Sequence, residues 1–135
     1  MLQLGNNAAW APIAVYFLHS VLAEQWGHEP YVDPIIHFFG GIAITFFFWR
    51  SAKYCQRFLG DFSLFTLAYI AFGFGFLTAL AWEFMEYVIM VSENAEILWS
   101  LSNTLRDLFL GMAGAALFSG TKLWSALRSR RVIEK

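Results

Sequence analysis

Phe62-Ser-Leu-Phe-Thr-Leu-Ala-Tyr-Ile-Ala-Phe-Gly-Phe-Gly-Phe-Leu-Thr-Ala-Leu-Ala-Trp-Glu83-Phe-Met-Glu86-Tyr-Val-Ile-Met90 is the stretch on which the fold turns. Its only charges are Glu83 and Glu86, near its end, and no Lys, Arg or Pro interrupts it. A helix needs about 20 apolar residues to cross a hydrocarbon core of ~30 Å, so this segment spans a bilayer with length to spare. Working outward, three more apolar segments flank it: about Asn7 to Glu24, Asp33 to Trp49, and about Asn103 to Trp124. The gaps between them, Gln25 to Val32, Arg50 to Asp61 and Val91 to Ser102, are short, which favours antiparallel neighbours. The expectation is an all-α polytopic membrane protein: a single transmembrane domain over residues 1–135, built as an antiparallel bundle of four transmembrane helices at about 7–24, 33–49, 62–90 and 103–124.

The composition agrees. Of 135 residues, 59% are hydrophobic, 19% aromatic and 14% charged, and the mean hydropathy is +0.53. That apolar share exceeds the usual 45–50% of soluble domains, and the aromatic content excludes intrinsic disorder. A net charge of -1 offers no basic surface for nucleic acid. The single cysteine, Cys55, can neither close an internal disulfide nor build a zinc cage. The first segment lacks the basic start and small-residue cleavage site of a signal peptide and reads as retained.

Basic residues set the orientation. Arg50, Lys53 and Arg57 follow the second segment, and Lys122, Arg128, Arg130, Arg131 and Lys135 follow the fourth, while the other two gaps hold none. The positive-inside rule then places both termini in the cytoplasm. Trp26, Tyr31, Trp82, Tyr87 and Trp99 fall at the outer interface and Trp10, Trp49, Tyr54 and Trp124 at the inner one, as aromatic belts. The expected location is the bacterial cytoplasmic (inner) membrane, as a multi-pass protein in contact with membrane lipids.

Against this apolar background, seven polar residues stand out: Asp33, His37, Glu83, Glu86, Asn103, Arg106 and Asp107. Asp33 and His37 share one helix face (i, i+4), as do Glu83 and Glu86 (i, i+3) and Asn103 and Asp107 (i, i+4). Counting ~1.5 Å per residue from the inner boundary, all three patches fall at one level near the outer leaflet. Four carboxylates against one Arg cannot stay ionised there without a bound cation or added protons. His with Glu and Asp is a ligand set for zinc, manganese or iron, and the oxygen subset suits magnesium. Asp33, His37, Glu83, Glu86 and Asp107 are therefore the candidate ligands of a divalent metal ion of open identity. Glu83 and Glu86 are also the candidate catalytic carboxylates, and Arg106 and Asn103 the candidate contacts to a substrate headgroup.

Structural readings stand beside these. Asp33 before Pro34 is an N-cap pattern, and Asn103 fits the same role on the fourth helix. Arg106 suits an ion pair with a neighbouring carboxylate, His37 a backbone hydrogen bond, and Glu86 an outlook into water. Gly40, Gly41, Gly111, Gly114 and Ala115 allow close helix approach beside the patches. His19, Glu24 and His28 lie toward the same side without a special reason for being there.

Taken in order, Asp33-Pro-Ile-Ile-His37-Phe-Phe-Gly40-Gly41, Trp82-Glu83-Phe-Met-Glu86-Tyr87 and Asn103-Thr-Leu-Arg-Asp107-Leu-Phe-Leu-Gly111-Met-Ala-Gly114-Ala115 resemble the YjdF-like family of small bacterial inner-membrane proteins. More distantly they resemble the VanZ-like proteins linked to glycopeptide resistance. The resemblance covers roughly residues 33–116, and its motifs are short. It implies a polytopic cell-envelope protein with an acidic, histidine-bearing centre and no established reaction.

Three functions fit these residues. The first is a metal-dependent enzyme acting on lipid or polyprenyl-phosphate headgroups, since a bound metal polarises a phosphoryl oxygen and activates water. The second is a proton- or cation-coupled transporter or channel subunit, which needs a homo-oligomer to enclose a path. The third is a structural assembly partner of another membrane protein, with the polar cluster as interhelical glue.

Overall fold

A computed structural model describes residues 8–26, 32–92 and 101–133, with the side chains of 22–26, 90 and 129–133 left out of account. Four helices account for nearly all of it: α1 (Trp10–Trp26), α2 (Val32–Leu59), α3 (Leu64–Ser92) and α4 (Leu101–Ile133). No strand occurs among the described residues.

The helix ends follow local chemistry. α2 continues ten residues past Trp49, through Arg50, Lys53, Gln56 and Arg57, because these side chains end an apolar run without ending a helix. It stops at Gly60, whose φ of 86° costs little only without a Cβ, and whose N–H donates to the Gln56 carbonyl at 3.0 Å. Ser63 then caps α3: its Oγ accepts from the Thr66 N–H at 3.0 Å. Phe62, just ahead of that cap, packs against the buried cluster that includes Leu67, in the spacing of a hydrophobic staple. α3 therefore begins at Leu64 and not at Phe62, and α4 runs on past Trp124 to Ile133.

The chain runs up, down, up and down. At one end Trp49 and Ala52 of α2 meet Leu67, Ala68 and Ala71 of α3 in a buried apolar cluster. At the other, His37 of α2 meets Glu83 of α3, and Asp33 meets Arg106 of α4. α2 and α4 are thus parallel, with α3 antiparallel to both. α1 parallels α3, with Trp10 against Phe46 and Tyr16 against Trp82. Among the described residues the backbone of α1 comes close only to that of α2, and its contact with α3 is through the side chains of Tyr16 and His19 on Trp82, whereas α2, α3 and α4 pack closely on one another.

The closest approach is that of α2 to α4. A Cβ on Gly41 would strike the Gly111 carbonyl oxygen, and one on Gly114 would strike that of Phe38. Only glycine permits such backbone contact, the small-residue packing known from helices in lipid. Gly40 differs: its nearest neighbour across is Val15 of α1 at an ordinary 3.8 Å.

α2 and α3 are each long and apolar enough to cross a membrane, with only 28% and 22% of their apolar windows buried. Trp10, Phe17, Phe39, Phe65, Tyr69, Phe84, Phe109 and Trp124 are each more than half exposed. So large an outward apolar surface needs a covering other than water. α1 has a shorter apolar stretch, Trp10–Val21. The aromatic belt is corrected at Trp49, which faces the core at 4% exposure, with Lys53 Nζ 5.4 Å from its ring centre. An apolar helix has no hydrophilic face to betray its inward side. Tyr31 and Trp99 lie outside the described residues.

Candidate metal centre

At the end of the bundle opposite the apolar cluster, three helices bring their polar patches together. α2 supplies Asp33 and His37 one turn apart. His37, its side chain 9% exposed, has Asp33 Oδ1 3.3 Å from Nε2 and Glu83 Oε1 3.5 Å from Nδ1. A neutral imidazole has one N–H and one lone pair. Flanked by carboxylates on both nitrogens, it leaves one of them facing lone pair to lone pair unless a second proton or a cation intervenes.

α3 supplies Glu83 and Glu86. Glu83 is 6% exposed, and its Oε1 is buried without a hydrogen bond. Glu86 accepts from the Trp82 indole N–H at 2.7 Å, so it does not simply look out into water. Trp82, expected at the lipid interface, is instead a hydrogen-bond donor to the centre and packs edge-on to Tyr16 and His19. The i, i+4 spacing of Trp82 and Glu86 was the available signal.

α4 supplies Asn103, Arg106 and Asp107. Asp107 is 1% exposed, with Arg106 Nε donating to Oδ1 at 2.9 Å and Asn103 Nδ2 donating to Oδ2 at 2.8 Å. Arg106 reaches on through Nη2 to Asp33 Oδ2 at 3.3 Å. Arg106 thus ties α4 to α2 by ion pairs while remaining 40% exposed. The capping roles are corrected. Asp33 and Asn103 both lie inside the first turns of α2 and α4, not ahead of them, and their side chains point to His37, Arg106 and Asp107.

Two sets of potential ligand atoms lie within 4.8 Å of one another: those of Asp33, His37 and Asp107, and those of His37, Glu83 and Glu86. His37 belongs to both. All five candidate ligands therefore gather around one imidazole, and an ion held at ordinary bond lengths of about 2.0–2.2 Å would draw the side chains of a set closer together than 4.8 Å. Of the outlying residues, His19 lines a cavity with His37, His28 lies outside the described residues, and the Glu24 side chain is not among those described.

No family model, curated protein or solved structure matches this chain. The centre is therefore read from its own geometry.

Proposed function

We propose that this is a multi-pass protein of the bacterial cytoplasmic membrane, its four helices crossing with both termini inside, which holds a divalent cation at the His37 imidazole near the outer leaflet, where carboxylates of α3 flank one ring nitrogen and those of α2 and α4 the other. One observation carries the proposal: the Glu83 carboxylate is buried beside His37 with an oxygen that accepts no hydrogen bond. A buried carboxylate without donors is costly, and a cation shared with His37 removes that cost. The motif resemblance to YjdF-like and VanZ-like proteins supports the polytopic envelope reading.

On this reading the protein is an enzyme of lipid or polyprenyl-phosphate headgroups. The bound ion supplies Lewis acidity toward a phosphoryl oxygen and an activated water. Arg106, partly exposed at the rim, attracts the anionic headgroup, and Asp33 and Asp107, the latter held by Asn103, keep its guanidinium in place. With an ion bound, Glu83 or Glu86 would accept one proton from the attacking water and return it to the oxygen that leaves as the phosphoester bond breaks, with Trp82 fixing the Glu86 carboxylate.

At the opposite end Trp49, Ala52, Leu67, Ala68 and Ala71 pack together without any charged side chain among them, which favours a binding site over a path for ions through one chain. The deciding experiment is elemental analysis of protein purified without chelator or a metal-affinity column. Near-stoichiometric metal that falls sharply in His37→Ala and Asp107→Ala supports the proposal. Metal-free wild type of full stability overturns it.

A further inference from the structure

Beside the acidic centre, on the α1 side of His37, lies a cavity of about 100 Å³. Pro12 and Val15 of α1, Ile36 and Ile44 of α2 and Ala79 of α3 give it apolar walls, and Gly40 and Gly41 leave room along α2. Tyr16, His19 and Trp82 also line it, and so does His37, the residue common to both candidate ligand sets.

The way in is lateral. α1 and α3 make no backbone contact, and the cleft between them is bridged only by side chains, with the Trp82 ring 6.1 Å from those of Tyr16 and His19. Tyr16 is 60% exposed, and the outer faces beside the cleft carry exposed Ile13, Phe17, Leu80 and Phe84. The mouth thus opens onto the surface that lipid covers in the membrane reading.

We infer that this cavity receives the head-proximal segment of the hydrocarbon chain of a membrane amphiphile, entering between α1 and α3 under Trp82, so that its headgroup lies against His37 and the rest of the chain stays on the lipid-facing surface. The inference deepens the proposed function, on which it rests, by assigning the substrate two parts. An apolar tail is held by α1 and α2, and an anionic head by the centre. Tyr16 and His19 close over the tail. Because α1 meets α3 only through the rings of Tyr16, His19 and Trp82, admitting a chain displaces side chains without separating the three mutually packed helices.

The test uses the full chain in nanodiscs of phosphatidylethanolamine and phosphatidylglycerol, with two photoactivatable probes: a phosphatidylglycerol with a diazirine in its acyl chain, and a diazirine-bearing isoprenyl phosphate. Adducts are mapped by peptide mass spectrometry. The expected result is labelling at Val15, Ile36 or Ile44 by at least one probe, and which probe labels tells acyl from isoprenoid. That labelling falls at least fivefold in Gly40→Leu, which fills the cavity from α2, and in Val15→Phe, which fills it from α1, should the first fail to fold. Adducts confined to the outward Ile13, Phe17 and Phe84, or an undiminished yield in a folded variant, overturn the inference. Metal content, measured on the same samples, reports separately on the centre.

Discussion

Nδ1 of His37 lies 3.5 Å from Oε1 of Glu83, across the α2–α3 contact, while Nε2 of the same ring lies 3.3 Å from Asp33 on its own helix. One imidazole thus joins carboxylates from two helices, and Asp107 of a third is within reach of it. The electrostatics of the whole centre pass through this ring.

Removing the ion should lower stability. A ligand that binds only the folded state stabilises it by about 2.7 kcal/mol at a hundredfold excess over Kd. Thermal unfolding in detergent should shift down on adding chelator and recover with the native metal. His37→Ala should unfold at one temperature with or without chelator, and a chelator shift retained in that variant would argue against the centre.

Arg106→Gln should tighten cation binding. The guanidinium pairs with Asp33 and Asp107, two of the five candidate ligands, and deleting one positive charge beside a cation in water-like surroundings is worth up to about 1 kcal/mol, roughly fivefold in Kd at most. The same variant should lose binding of an anionic headgroup. Calorimetric titration with metal and with a phosphorylated short-chain lipid measures both, and a weaker metal affinity would contradict the arrangement.

Glycine substitutions should sort by their surroundings. Gly41→Ala and Gly114→Ala place a methyl on opposing backbone and should cost roughly 1–3 kcal/mol or more. Gly120→Ala meets nothing within 4 Å and should be neutral or slightly stabilising, by up to about 1 kcal/mol. Unfolding by a denaturing detergent gives the ranking, and equal effects at all three positions would refute the α2–α4 contact.

The turn between α2 and α3 makes an independent prediction. Gly60→Ala forces a Cβ into left-handed backbone at a cost of about 1–2 kcal/mol. Ser63→Ala removes the cap on Thr66 for about 1 kcal/mol. Neither touches the centre, so metal content should stay at the wild-type level in both while the unfolding midpoint drops.

The helical class and the meeting of Asp33, His37, Glu83, Glu86 and Asp107 were legible because charged groups in apolar helices have few places to go. Spacing alone put each pair on one face. Helix ends were less legible: the polar run Arg50 to Arg57 reads as a gap by composition, yet its residues are good helix formers, and only Gly60 stops them. The inward turn of Trp49 was hidden because lipid and core are equally apolar, so periodicity cannot separate them. Trp82 was assigned to the interface by residue type, although the carboxylate one turn away at Glu86 offered its N–H a partner.

The bare backbone crossing at Gly41 and Gly111 sits one turn from His37 on α2 and one turn from Asp107 on α4. It works as a fulcrum: with no side chain between the two helices there, neither can slide or part without dragging an imidazole or a carboxylate along. The separation of donor groups contributed by these two helices is set by the thickness of a peptide chain, a distance that evolution can widen by one methyl but cannot shorten.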